Sequence, residues 1–250
     1  MVFKEPARVR TLIAVAPSVA GSLDSGTVPA SRAGSQRTDN AVTRGGRRPI
    51  RAARRHWALL VVLAAGLGLR VVTQVAYRPA LFYIDSYKYL TGSGGSDPVG
   101  YNILLKPILW LGNLAVVAGF QHLLGLAMGV FIYALLIRRG AARWAATLAA
   151  APILLDAYQL QMEQTIMPDV TFEALIVAGL AILLWRPRPG FWRLAAGALV
   201  LGLAADVRQI GELLIIPAVI FAVLVARGWR RRLGYLAVAV ACFAVRCWAI

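Results

Sequence analysis

The segment Phe82-Tyr83-Ile84-Asp85-Ser86-Tyr87-Lys88-Tyr89-Leu90 sets a carboxylate, a cation and a phenol close together. On a helix, Asp85, Lys88 and Tyr89 fall at i, i+3 and i+4 and share one face. A group able to take a proton would then stand beside one able to hold an anion. The same Asp could instead open a helix as its N-cap, and these nine residues leave both readings open. The wider charge pattern adds weight to a site. Beyond residue 56 the acidic residues are Asp85, Asp97, Asp156, Glu163, Asp169, Glu173, Asp206 and Glu212, and none of them falls in an Arg-rich loop. The cations with which they alternate include Arg70, Lys88 and Arg208.

The elements that must position these groups are apolar. The 250 residues are 59% hydrophobic with mean hydropathy +0.67, above ordinary soluble domains. A net charge of +16 would suggest nucleic acid in a polar chain. Here eleven of the 27 Lys and Arg precede residue 56, and most of the rest punctuate apolar runs, so no nucleic-acid partner is expected. Residues 1–55 form a basic tail rich in Arg, Ser, Gly and Pro, expected to be disordered; residues 56–250 form one membrane domain. Its apolar runs are Trp57–Tyr77, Ala118–Ile137, Trp144–Leu160, Pro168–Trp185, Phe191–Val207, Ile210–Ala226 and Leu233–Ile250. The expected fold is therefore all-α, a polytopic membrane helix bundle of about seven transmembrane helices. Short juxtamembrane helices fill the first outer loop.

Alternate loops are basic. Arg138, Arg139 and Arg143 follow the second run, Arg186, Arg188 and Arg193 the fourth, and Arg227, Arg230, Arg231 and Arg232 the sixth. The positive-inside rule then puts the tail in the cytoplasm of a multi-pass protein of the plasma membrane. All eight acidic residues fall at or near the outer ends of the helices. Acidic residues contribute little to orientation, and ionisable groups near a membrane mark pathways and sites. Trp57, Trp144, Trp185, Trp192 and Trp229 lie at the cytoplasmic ends, where aromatic anchors belong. Cys242 and Cys247 read as small apolar residues of the last run. His56 reads as interfacial, and His122 opens the second span without a clustered metal-ligand partner. No Walker-type loop or zinc motif is present.

Several short pieces recur in a fixed order: Leu69-Arg70, Ile84-Asp85-Ser86-Tyr87, Tyr89-Leu90, Gly100-Tyr101 and Lys106-Pro107. They continue through Gln121-His122-Leu123-Leu124-Gly125 to Tyr133 and Arg138-Arg139, then Glu163 with Met167-Pro168-Asp169, and Val207-Arg208-Gln209. Together, over residues 57 to about 235, this order resembles the C-type glycosyltransferases related to protein O-mannosyltransferases and aminoarabinose transferases. The resemblance implies a catalytic Asp in the first outer loop, matching Asp85. It also implies a polyprenyl-phosphate-linked sugar as donor and a glycan, lipid or protein acceptor outside the cytoplasm. Many members carry a second acidic residue beside that Asp. Here the neighbour is Ser86, so a second carboxylate must come from elsewhere, with Glu163 and Asp169 the candidates.

Inverting transfer needs one base for the acceptor hydroxyl and cations for the departing phosphate, with no protein nucleophile. On this expectation Asp85 is the base, Arg70, Lys88 and Arg208 receive the phosphate, and Tyr89, Glu163 and Asp169 serve the acceptor or assist. No metal ligands are assigned; a divalent cation is left open as cofactor. Arg70 could equally snorkel, and Arg208 could sit in an ion pair with Asp206 or Glu212. Ile250 falls inside the seventh run, with Arg246 within it, which reads as a C-terminal truncation and possible loss of activity. A transporter or flippase-like protein is the rival from another class; its ionisable site would be expected nearer the bilayer midplane, on interrupted helices.

Overall fold

The computed structural model describes residues 54–92 and 98–244, and their regular elements are all helical. The expected tail through residue 53, Asp97, and the last residues with Arg246 and Cys247 lie outside the described residues.

Helix α1 (Trp57–Ala76) is an unbroken 20-residue apolar stretch that ends ahead of Pro79, whose ring and neighbour disfavour a continuing helix. Two short helices follow, α2 (Ser86–Thr91) and α3 (Gly100–Trp110). Gly92 closes α2 at φ +69°, a conformation that costs glycine little. Asn113 starts α4 (Leu114–Arg138) by accepting the Ala115 N–H at 2.9 Å, a side-chain cap on an otherwise orphan donor. Helices α1 and α4 are long and apolar enough to cross a membrane.

The run expected as one helix over Trp144–Leu160 is two, α5 (Arg143–Leu155) and α6 (Ala157–Gln164). Asp156 adopts φ −69°, ψ 132° between them, and its carboxylate accepts the Gln159 N–H at 3.2 Å. The Asp thus stops one helix and caps the next, a competition with the backbone that apolar counting does not register. Then come α7 (Asp169–Leu184), α8 (Phe191–Val207), a 3₁₀ turn (Gln209–Leu214), α9 (Ile215–Val225) and α10 (Trp229–Ala244). At 16 and 17 residues, α7 and α8 rise only about 24–26 Å. Against a hydrocarbon core of about 30 Å, helix length among the described residues identifies two spans where seven were expected.

Three apolar clusters hold these helices together. Leu59, Tyr133, Ala146, Ala150 and Leu154 join α1, α4 and α5. Leu183, Leu194, Leu201, Ala218, Ala222, Ala239 and Phe243 join α7 to α10, and Tyr101, Leu105, Val117, Ala118, Ile166 and Val207 pack α3 onto α4 and α8. Close approach is built on missing side chains: a Cβ on Gly197 of α8 would lie 2.5 Å from Leu183 Cγ of α7. Many large apolar side chains still face outward, among them Val61, Val72, Val75, Leu123, Leu148, Ile216 and Leu224.

The two ends of the bundle differ. At one, His56 Nδ1 lies 2.5 Å from the Tyr133 hydroxyl, Arg138 Nε donates to Trp185 O at 2.7 Å, and Tyr235 donates to Pro189 O at 3.2 Å. These contacts gather the Arg-rich loops. At the other, Gln74 Nε2 donates to Ala115 O at 2.8 Å. There the chain after α1 joins the chain after α6 through Leu81 N–H to Gln164 O (2.9 Å) and Ile166 N–H to Leu81 O (3.1 Å).

Candidate functional site

A cavity of about 570 Å³ lies among the arginine loops, and one of about 530 Å³ lies at the opposite, acidic end. The second is lined by Asp85, Tyr89, Asp169, Phe172, Glu173, Val207, Arg208 and Gln209. Asp85 occupies the position before α2, but its side chain makes no capping bond. Instead it pairs with Lys88 Nζ at 2.8 Å, the i, i+3 contact that the spacing allows. Ser86 is fully buried, and its Oγ accepts the Tyr83 N–H at 2.8 Å, which fixes the turn that presents Asp85.

Asp169 is the first residue of α7, and Glu173 follows one turn later on the same face. Arg208 reaches the cavity because the chain is extended there, between α8 and the 3₁₀ turn. Its guanidinium pairs with Asp169 Oδ1. Asp169 Oδ2 is buried and has no hydrogen-bond partner, a costly state unless a bound group supplies the donor. Across the cavity Tyr89 stands edge-on to Tyr101, with ring centroids 5.3 Å apart. Burial, and secondarily Tyr89, pushes the Tyr101 phenol well above its ordinary range. It therefore keeps its proton and donates to Gln121 Oε1 at 2.9 Å.

Behind this cavity is a second, buried polar cluster. Arg70 is 2% exposed and Glu163 0%, and they pair at 2.6 Å. Glu163 Oε2 lies 2.8 Å from His122 Nδ1. His122 Nε2 faces Gln164 Oε1 at 2.8 Å, while Gln164 Nε2 donates to Tyr77 O at 3.0 Å. That second bond fixes the amide orientation, so both ring nitrogens of His122 face acceptors. Arg70 also donates to Leu154 O (2.8 Å) and Ile153 O (3.0 Å), satisfying carbonyls left open where α5 stops. Gln121 Nε2 donates to the carbonyls of Glu163 and Thr165, both at 2.8 Å. There is no room beside this cluster: a Cβ on Gly125 would lie 1.8 Å from Glu163 Oε1.

Of the residues expected to act, Asp85, Tyr89, Asp169 and Arg208 converge on the cavity, with Lys88 attached through Asp85. Arg70 and Glu163 do not line it; they bind each other in the buried cluster. Arg70 does not snorkel, and Arg208 takes Asp169 as its ion-pair partner. Sequence reasoning did not single out Glu173 as a site residue, although its i, i+4 spacing from Asp169 was a usable signal. It also missed the partners of His122, which are distant in sequence. Gln159 ties the two regions, donating to Glu163 Oε1 at 3.3 Å and reaching Glu173. Among the described residues no group of three His, Cys, Asp or Glu is arranged to hold a metal ion. No family model, curated protein or solved structure matches the chain.

Proposed function

We propose that this chain is a membrane glycosyltransferase that moves a sugar from a polyprenyl-phosphate carrier to an acceptor at the outer face, with Asp85 as general base. The membrane reading takes all seven apolar segments as spans, the acidic end outside and the arginine end in the cytoplasm. Supporting it, the outward-facing apolar side chains along several helices far exceed the scattered few of a soluble surface. The observation that carries the functional reading is the meeting of Asp85, Asp169 and Arg208, from three separate segments, around one cavity.

The chemistry balances with these groups. An acceptor hydroxyl attacks the anomeric carbon, its proton passes to the Asp85 carboxylate, and the bond to the phosphate oxygen breaks with its electron pair on the phosphate. Arg208 has more N–H donors than Asp169 can take, so the pair can hold the guanidinium in place while it binds the leaving phosphate. Lys88 beside Asp85 adds a second cation.

Membranes containing the chain are tested with radiolabelled sugars on a panel of polyprenyl-phosphate donors, beside Asp85→Asn at equal protein level. Transfer by the parent chain with a loss of about 10²–10⁴-fold in the variant is expected. Equal transfer by both removes Asp85 as base, and no transfer with any donor removes the reading.

One observation favours a transporter. The helix interrupted at Asp156, with Arg70, Glu163 and His122 buried beside it, resembles the broken helices and buried ionisable groups of carriers. Against this, both carboxylate oxygens of Glu163 and both ring nitrogens of His122 are already bonded within the protein.

A further inference from the structure

The arginine end carries the 570 Å³ cavity, between the loop joining α7 to α8 and the loop joining α9 to α10. Arg188 enters from the first loop, Arg227 from the second and Arg231 from the first turn of α10. The positive-inside rule asks only that such loops be basic; it does not ask that cations from two of them face one hollow. No carboxylate lines the cavity, and among the described residues none of the three arginines has a salt-bridge partner. The first loop is tied to α10 by the Tyr235 hydroxyl, which donates to Pro189 O at 3.2 Å, so the hollow is braced by the protein itself. The remaining wall is largely apolar, with Phe191 and Val225 in it. Exposed Trp192 and Trp229 stand beside it in the chain, residue types that settle at headgroup depth.

We infer that this cavity binds the phosphate headgroup of an anionic phospholipid of the cytoplasmic leaflet. Arginine forks suit phosphate oxygens, and basic hollows between membrane helices on the cytoplasmic side suit anionic headgroups. The apolar wall favours a lipid over a free phosphate, because it offers the first part of an acyl chain a surface that inorganic phosphate cannot use. The site rests on the membrane orientation proposed above but not on sugar transfer, so it stands or falls independently of Asp85.

The full chain is purified in nanodiscs of zwitterionic lipid, and binding is read as retained lipid by native mass spectrometry and as thermal stabilisation. Phosphatidylglycerol, phosphatidylcholine of the same chains, and inorganic phosphate are compared. The variant Arg227→Gln/Arg231→Gln is set against Arg230→Gln/Arg232→Gln, which removes the same charge from the same segment without touching the cavity wall. Arg188→Gln, in the other loop, provides an independent variant should the double one fold poorly. The expected result is retention of phosphatidylglycerol over phosphatidylcholine, weakened about tenfold or more by Arg227→Gln/Arg231→Gln and by Arg188→Gln, and little changed by Arg230→Gln/Arg232→Gln. Equal weakening by both double variants would reduce the effect to general surface charge and overturn the site. Equal stabilisation by inorganic phosphate would overturn the lipid as its occupant.

Discussion

Arg70–Glu163 and Arg208–Asp169 are the same chemical pair in two settings. The first is sealed, with side chains 2% and 0% exposed. His122, Gln159 and two helix-end carbonyls bond it further, and buried Arg70 Nε is left without a partner. The second opens on a cavity, with Arg208 40% and Asp169 12% exposed and Asp169 Oδ2 left without a partner. A sealed guanidinium with both terminal nitrogens bonded inside the protein is a strut, whereas one held by a carboxylate at a cavity wall still has donors within reach of a ligand. Desolvation sharpens the contrast, because a buried charge must stay paired while a half-exposed one can exchange partners with water or substrate.

Glu163→Ala gives the severest test of this division. It strands Arg70 in the interior and deprives His122 of its carboxylate, so a loss of about 3–5 kcal/mol is expected, read as the disappearance of a folded, monodisperse species in detergent. A stable Glu163→Ala protein with altered transfer would instead move Glu163 into the working site. Gly125→Ala comes next, since its new methyl collides with Glu163 Oε1 and Arg70 Nη2. A cost of about 1–3 kcal/mol should appear in thermal melts, with donor selectivity unchanged in whatever protein folds. Arg208→Lys keeps the charge but loses the fork. About tenfold slower transfer is expected at nearly parental stability, whereas a large drop in melting temperature would make this pair a strut too. Lys88→Met is the mildest in stability. The Lys88–Asp85 pair is 43% and 36% exposed, and such screened pairs contribute roughly 0.2–1 kcal/mol, so the melt should barely move.

Part of the cavity's wall was legible in the sequence, but neither of these two pairings was. Asp85 and Lys88 meet because a spacing of three is a local rule of helices, and the acidic and basic ends follow from charge between apolar runs. Local rules fail elsewhere. Nothing near His122 announces Glu163, 41 residues on, and Arg70 finds its partner 93 residues away. The break at Asp156 was hidden because the run before it is apolar, and one capping carboxylate outweighs the average of those neighbours. Membrane span number suffered for a related reason: hydropathy marks seven segments, but helix length, cut by caps, Pro and Gly, supports α1 and α4.

The distance along the chain between Arg70 and Glu163 also sets a schedule. In the spanning arrangement proposed, α1 is made with a guanidinium in its apolar length and no partner for it. At about 5–20 residues per second of synthesis, the 93 intervening residues take roughly 5–19 s to emerge. During that interval an unpaired Arg in a span is unfavourable by about 2.5–3.5 kcal/mol on the insertion scale. The apolar remainder of α1 outweighs that cost, so the helix enters first and the arrival of α6 supplies the carboxylate that locks its guanidinium in place.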